Sequence, residues 1–275
     1  MLGTRSLKSL LLITISILLP TVQVLAREQS QQDRSLKCND QWRNDRLVTR
    51  CEMREQTLIA VRGTLSVDGR MNGGIAIKGW DRNEILVRAQ VQSSAPSESE
   101  ARELAKQIRI DTGNSQIHAE GPSRDNDHNW SVSYEIFVPR QSDLSLKTQN
   151  GGISISEVRG HIEFSALNGG VSLKRLGGHV KGSTTNGGLS IDLAGARWEG
   201  EGLDVRTTNG GVSMVVPENY SAQLETGTVN GGLDIGFPVT VQGKLDKELS
   251  VKLGEGGPTV RAMTTNGGVR IHRKS

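Results

Sequence analysis

The chain has 275 residues, with 33 Lys or Arg against 30 Asp or Glu, and aromatic residues make up only 3% of it. This near balance of charge gives no electrostatic footprint for nucleic acid or for an anionic membrane, so the sequence predicts no nucleic-acid partner. The low aromatic content suits a thin interior filled by Val, Ile and Leu.

The first 26 residues have the pattern of a secretory signal peptide. Arg5 and Lys8 form a basic start, residues 10–19 are almost entirely apolar, and Val24-Leu25-Ala26 offers a cleavage site before Arg27. The apolar run is too short to span a bilayer as a helix, so we expect no stable membrane insertion. Cleavage removes two of the 33 basic residues and leaves a net charge of +1. Residues 1–26 are therefore predicted to be a signal peptide, and the mature protein is predicted to be exported by a bacterium and to be periplasmic, extracellular or on the cell surface.

Residues 27–60 are predicted to form an N-terminal cap that contains both cysteines. Cys38 and Cys51 are thirteen positions apart, and in an oxidising compartment we expect them to pair. Closing a loop of this length is worth about 3 kcal/mol in the chain-entropy model. A two-cysteine metal site is the weaker alternative, because no His or third Cys is near in sequence. We predict no metal ion and no cofactor.

Residues 61–143 are predicted to be a degenerate β-repeat region interrupted by one helix. Ser97 and Glu100 match a capping box, and an apolar stripe follows from Ala101 to Ile108. The helix is expected to lie across the repeats or to cap their end. Period-two alternation predicts strands at 65–67, 75–77, 85–91, 116–119 and 132–138.

Residues 144–275 are predicted to be regular repeats marked by the triplet Asn-Gly-Gly and an apolar-x-apolar tripeptide after it. Apolar residues also recur six positions before each Asn in this region, and Thr, or Ala166 once, recurs two positions before it. We interpret Asn-Gly-Gly as a turn that needs φ > 0, and we expect Thr and Asn side chains of successive repeats to stack into ladders. One further triplet lies before this region, at Asn72. The triplets of the whole chain begin at Asn72, Asn150, Asn168, Asn186, Asn209, Asn230 and Asn266.

The 18-residue spacing favours an all-β parallel β-solenoid, or β-helix, in which each repeat makes one coil. An antiparallel β-meander or sandwich, with a hairpin at each Asn-Gly, is the alternative. In one outward column Lys181 would lie between Glu163 and Asp204, as cross-strand pairing prefers. Longer spacings place insertions at 194–202 and 236–257, which we expect to form loops on one face.

Few residues suggest a catalytic, metal or ligand site. Trp198 lies among acidic residues that could cleave a polysaccharide, and its ring could stack on a sugar. The alternative is that Trp198 folds back over the coil and packs against it. His161 and His179 share one column, but the register supplies no third metal ligand. We identify no catalytic residues. The candidate ligand surface is Trp80, Asp81, Trp198, Glu199 and Glu201, and the further acids near Trp198 are Asp192 and Asp204.

The repeat, together with three short motifs, resembles the bacterial putative-adhesin family, a domain of unknown function with β-strand repeats. The motifs are Gly79-Trp80-Asp81, Trp130-Ser131-Val132-Ser133-Tyr134 and Cys51-Glu52-x-Arg54-Glu55. The resemblance implies an exported all-β repeat protein that is adhesin-like, and it carries over no catalytic residues.

We therefore expect a non-catalytic adhesin-like protein that binds an envelope or extracellular partner, either a glycan or a protein. Two alternatives remain from the sequence. One is a β-helix lyase or hydrolase acting on polysaccharide through the acids around Trp198. The other is a periplasmic structural or signalling scaffold that binds only another protein. The sequence does not indicate an oligomeric state.

Overall fold

The structure, a computed structural model, describes residues 36–38, 42–43, 46–60, 62–239 and 247–274. The predicted signal peptide lies outside the described residues, as does the start of the predicted cap. Within the described part of the chain, no helix is long and apolar enough to cross a membrane.

The described residues form two large β-sheets and one helix, which confirms the all-β prediction. The first sheet has the strand order β1-β2-β5-β8-β4-β10-β12-β14-β16-β21-β18, and the second has the order β19-β17-β20-β15-β13-β11-β9-β3-β7-β6. The elements are β1 (Trp42–Arg43), β2 (Val48–Ile59), β3 (Thr64–Asp68), β4 (Ile75–Trp80), β5 (Glu84–Ala95), α1 (Glu98–Gln107), β6 (Arg109–Asp111), β7 (Gln116–Glu120), β8 (Asn129–Pro139), β9 (Asp143–Asn150), β10 (Ile153–Ser156), β11 (Arg159–Asn168), β12 (Val171–Lys174), β13 (Gly177–Asn186), β14 (Leu189–Asp192), β15 (Gly202–Asn209), β16 (Val212–Val216), β17 (Ala222–Asn230), β18 (Leu233–Ile235), β19 (Glu248–Leu253), β20 (Thr259–Asn266) and β21 (Val269–Arg273).

Each Asn-Gly-Gly repeat makes one coil, with one strand in each sheet joined by the triplet. Neighbouring coils pair in parallel and in register, so that Ile153 lies opposite Val171, and Asn168 opposite Asn186. Along each strand the buried and exposed residues alternate, which places the apolar columns in one continuous core between the sheets. The parallel pairing confirms the solenoid and shows that the meander alternative is wrong.

Two ladders of hydrogen bonds run along the edge of the solenoid that carries the triplets. Each Asn amide nitrogen after the first donates to the amide oxygen of the preceding coil, from Asn150 to Asn72 at 3.1 Å and at 2.7–2.8 Å along the rest. Each Thr that lies two positions before a triplet Asn donates its hydroxyl to the carbonyl of the first glycine of the neighbouring coil, as Thr184 does to Gly169 at 2.8 Å. Both predicted ladders are therefore present, with a gap in the second at Ala166.

The triplet's glycines have a different purpose from the one predicted. Among them only Gly267 has a positive φ, at 159°, so the prediction of a turn that needs φ > 0 is wrong. The first glycine is required by close approach between coils. A Cβ at Gly169 would lie 2.1 Å from the carbonyl oxygen of Gly151, and one at Gly187 would lie 2.2 Å from that of Gly169.

The coils do not stack in chain order at the C-terminal end. The last coil, β20–β21, lies between coil β15–β16 and coil β17–β18. The chain leaves β18, adds β19 antiparallel to β17 at the edge of the second sheet, and then returns to insert its last coil. The insertion at 236–257 is therefore not wholly a loop, because it contains β19.

The N-terminal part follows the predicted plan and adds a long strand. The five predicted strands are present as β3, β4, β5, β7 and β8, and α1 has Ser97 as its N-cap. The helix packs against β5 and β2. The strand β2 was not predicted, because its residues do not alternate between buried and exposed. Cys38 and Cys51 form the predicted disulfide, with Cα atoms 5.5 Å apart.

Candidate functional site

The residues predicted to touch a ligand lie at one corner of the solenoid, opposite the Asn ladder. Trp80 ends β4, and Asp81 follows it. Glu157 occupies the equivalent turn between β10 and β11, and the insertion after β14 carries Trp198 and Glu199. The parallel stacking therefore brings together residues that are far apart in sequence, such as Asp81 and Arg140, which are 59 positions apart.

A cleft of about 290 Å³ opens at this corner. Its volume lies just below the range for small-ligand sites, which begins at about 300 Å³. Four arginines come together there, and we call this surface the arginine corner. It is lined by Arg140, Glu157, Arg159, Arg175, Leu176, Ala194, Gly195, Arg197 and Glu199.

Glu157 holds two of the arginines in place. Arg140 donates to Glu157 at 2.5 Å and to Asp81 at 2.7 Å, and Arg175 also donates to Glu157. Burial raises the pKa of Glu157, but the hydrogen bonds from Arg140 and Arg175 outweigh it, so the pKa lies below its usual value. The hydrogen bond from Arg140 likewise lowers the pKa of Asp81. Both carboxylates are therefore ionised at neutral pH.

The insertion at 194–202 forms the far wall of the cleft and is fixed by a buried tryptophan. Trp198 is 3% exposed, and its indole nitrogen donates to the carbonyl of Gly178 at 2.9 Å. The backbone adds a bond of 2.6 Å from the Gly178 amide to the Glu199 carbonyl. Because its ring is buried, Trp198 cannot offer a stacking face to a sugar; it anchors the loop that carries Arg197 and Glu199.

The sequence profile of the family called Toastrack DUF4097 matches residues 89–272, which is about two thirds of the chain. The chain belongs to the Toastrack DUF4097 family. No curated protein matches it.

Several solved structures are similar at low identity. A putative cell adhesion protein from Clostridium sporogenes ATCC 15579 is 11% identical, with 81% of this chain and 100% of that one covered and a TM-score of 0.45. A putative adhesin from Bacteroides fragilis NCTC 9343 is 10% identical, with 84% and 98% covered and a TM-score of 0.33. A putative adhesin from Parabacteroides distasonis ATCC 8503 is 11% identical, with 81% and 97% covered and a TM-score of 0.35.

In this Toastrack chain, the residues lining the cleft fall inside the matched region, whereas Trp80 and Asp81 precede it. Trp80 is half-buried and is already engaged. Its indole nitrogen donates to the Glu84 carbonyl at 2.9 Å, its ring centroid is 5.3 Å from that of Phe137, and the Arg82 guanidinium lies 4.8 Å from the ring centroid. Trp80 therefore borders the corner mainly as a packing residue.

The two histidines of one column stack as expected. The rings of His161 and His179 are 4.9 Å apart and nearly parallel. His179 pairs with Glu201 at 3.1 Å, and His161 with Glu163 at 3.3 Å. Among the residues that the structure describes, no group of three or more His, Cys, Asp and Glu could hold a metal ion.

The acids proposed for the enzymatic alternative each have a basic partner. Glu199 pairs with Arg159, and Glu201 pairs with His179. Asp204 pairs with Arg206 at 3.2 Å, and Asp192 has Lys274 at 4.0 Å. For Glu199, Glu201 and Asp204 this arrangement is that of paired surface charges, and with Trp198 buried the predicted sugar platform beside the acids is not formed.

Sequence reasoning missed the arginines. Glu157 and Arg175 are one 18-residue repeat apart and occupy the same turn, each with left-handed backbone, at φ of 59° and 52°. Aligning the repeats on this turn as well as on Asn-Gly-Gly would have shown that Glu157 and Arg175 occupy equivalent positions. Arg140 and Arg197 lie outside the regular repeat, so only the fold brings them to the cleft.

Proposed function

We propose that this protein is an exported, non-catalytic, adhesin-like protein that binds an envelope or extracellular glycan through the arginine corner. The observation that carries the proposal is the anchored cleft. The buried Trp198 fixes the loop that carries Arg197, and Glu157 fixes Arg140 and Arg175. The side chains of Arg140 and Arg175 and the backbone that carries Arg197 are held in place in this way, so these groups lose little conformational entropy when a ligand binds.

Export is supported by the Cys38–Cys51 disulfide, because disulfides persist in oxidising compartments. The signal-peptide pattern of residues 1–26 is consistent with it. Expression in a bacterium, followed by fractionation and N-terminal sequencing, tests this part. Mature protein that begins at Arg27 outside the cytoplasm is the expected result, and uncleaved protein retained in the cytoplasm would contradict it.

The exposed large apolar side chains support a polar ligand, because they do not form the patch through which a protein-binding scaffold would dock. The large apolar side chains that are exposed in the described part are Ile59, Met71, Leu167 and Val229. The last three share the column before the Asn ladder, where Gln149 and three threonines separate them, so they form no continuous apolar patch.

The test is to incubate the chain from Arg27 onward with envelope fractions and with a panel of polysaccharides. Binding and the release of new reducing or unsaturated ends are scored together. We expect retention on a polymer without product. Product formation would make the protein an enzyme, retention of a protein alone would favour the scaffold, and no retention at all would refute the proposal.

A further inference from the structure

We propose that the arginine corner is a binding site for the carboxylate or sulfate groups of an acidic polysaccharide. This inference rests on the proposed function and adds the chemical class of the ligand. It begins from a local excess of positive charge. Four arginines and two glutamates line the cleft, although the whole chain is close to neutral.

Arg197 is the residue that most directly indicates an external anion. It is exposed at the rim of the cleft, and within the described part of the chain its side chain has no hydrogen bond or ion pair, while its backbone forms a bridge to Ser221. Its loop is fixed by Trp198, so the guanidinium is attached to a rigid support. A planar guanidinium has five N–H donors in a fork that matches a carboxylate or sulfate.

The neighbouring arginines keep donors available. Arg175 uses only Nη2 in its bond to Glu157, and Arg159 uses Nη1 toward Glu199. Each therefore retains N–H groups that can bind a second anion without breaking the existing pair. Glu157 and Glu199 hold these side chains in place and prevent four cations from repelling one another.

The arrangement suits a polymer better than a flat anionic surface. Arg159 begins β11, Arg175 lies in the turn between β12 and β13, and Arg197 lies in the insertion between β14 and β15. These three arginines are therefore on successive coils, which are about 4.8 Å apart. Cations placed along the solenoid axis can contact anionic groups repeated along one linear chain, with a gain from multivalency. A concave cleft on a nearly neutral protein lacks the broad basic face that binds anionic lipid.

The experiment measures the affinity of the chain from Arg27 onward, which retains the whole compact unit Leu36–Ser275, for polygalacturonate, dextran sulfate and neutral dextran. We expect binding to at least one of the two acidic polymers and not to dextran. Arg197→Gln should weaken that binding about fivefold, as expected for one exposed charge-assisted contact. Arg197→Lys should recover only part of the loss, because an ammonium lacks the fork.

The matched control is Arg206→Gln, which removes the same charge from an exposed arginine on β15 that pairs with Asp204. Its affinity should stay within about twofold of the wild type. Equal losses for the two variants, with unchanged melting temperatures, would mean non-specific charge attraction and would overturn the inference. So would equal binding of dextran, or inorganic sulfate competing as well as the polymer at equal anion concentration.

Two outcomes separate this inference from the proposed function. Binding to a neutral polysaccharide alone would refute the acidic ligand and leave the glycan-binding proposal intact. No binding to any polymer or envelope fraction would refute both. Retention only on phosphatidylglycerol vesicles, or only on an envelope protein, would also overturn the polysaccharide assignment.

Discussion

Two adjacent glycines of one triplet should respond very differently to alanine: substitution of the first should destabilise the fold, and substitution of the second should not. At Gly169 a Cβ would lie 2.1 Å from the Gly151 carbonyl oxygen, whereas at Gly170 the nearest atom would be the Gly188 carbonyl oxygen at 3.6 Å. Carbon and oxygen atoms normally stay at least about 3.3 Å apart. Gly169→Ala therefore requires the coil containing Gly151 to move away by about 1 Å, while Gly170→Ala requires no movement.

The cost at Gly169 follows from the bonds that such a movement breaks. Three hydrogen bonds join the two coils at this corner. The Gly151 backbone amide donates to the Asn168 carbonyl at 3.1 Å, the Ile153 backbone amide donates to the Gly170 carbonyl at 3.1 Å, and the Asn168 side-chain nitrogen donates to the Asn150 side-chain oxygen at 2.8 Å. At about 1 kcal/mol each, their loss lowers the free energy of unfolding by about 3 kcal/mol. For a domain of this size the melting temperature should fall by about 6–12 °C.

Gly170→Ala should instead be neutral or stabilising. Its φ lies outside the left-handed region, so alanine adds no strain and reduces the entropy of the unfolded chain, a gain of about 0.4–1 kcal/mol. We expect a melting temperature that is unchanged or up to about 4 °C higher. Thermal unfolding followed by circular dichroism measures both variants. Equal destabilisation, or a larger loss at Gly170, would refute the close-approach explanation of the triplet.

Three further substitutions test the ladders and the arginine corner. Asn186→Ala removes two side-chain amide bonds, of 2.7 and 2.8 Å, and should lower the melting temperature by about 4–8 °C; an unchanged value would contradict the ladder. Ala166→Thr should restore the one missing hydroxyl donor toward Gly151 and raise the melting temperature by about 2–4 °C, and a fall would mean that the site lacks space for it. Glu157→Gln should destabilise at neutral pH, with the difference from wild type shrinking as the pH falls below 4.5, because the lowered pKa contributes stability only while the carboxylate is ionised. A difference that does not change with pH would exclude an ionic role.

The repeat part of the fold could be predicted because identical side chains identify the register. The repeats share an Asn at each triplet and, in most of them, a Thr two positions before it. These side chains can bond to the neighbouring coil only if equivalent residues lie side by side, as they do in parallel coils. The alternation of apolar residues then assigns the core. The glycine conformation was not predictable in the same way, because close packing of a neighbouring coil and a positive φ both select glycine.

The roles of the candidate site residues could not be predicted from the sequence. Trp80, Asp81, Trp198 and Glu199 were identified by residue type and lie at one corner, but their roles depend on depth and partners that the sequence does not encode locally. Trp198 is a buried anchor, and Asp81 binds Arg140 from a different repeat. Long-range pairs of this kind arise from the stacking itself, so they become visible only after the coils are assembled.

The charges in one outward column of the repeat indicate the order of the C-terminal coils, which the spacing of the triplets does not show. If the coils stacked in chain order, Asp204 would face Glu225 directly. With the last coil inserted, Arg261 lies between them, and the column reads Glu163, Lys181, Asp204, Arg261, Glu225 with the sign alternating at every step. The first sheet shows a second pair of opposite charges between the inserted coil and its neighbour, because Arg270 on β21 pairs with Asp234 on β18 at 3.3 Å. Each exposed pair is worth less than about 1 kcal/mol, but every coil offers the same Asn-Gly-Gly edge to its neighbours. Because the ladders do not distinguish one coil from another, small charge differences are enough to favour the inserted order.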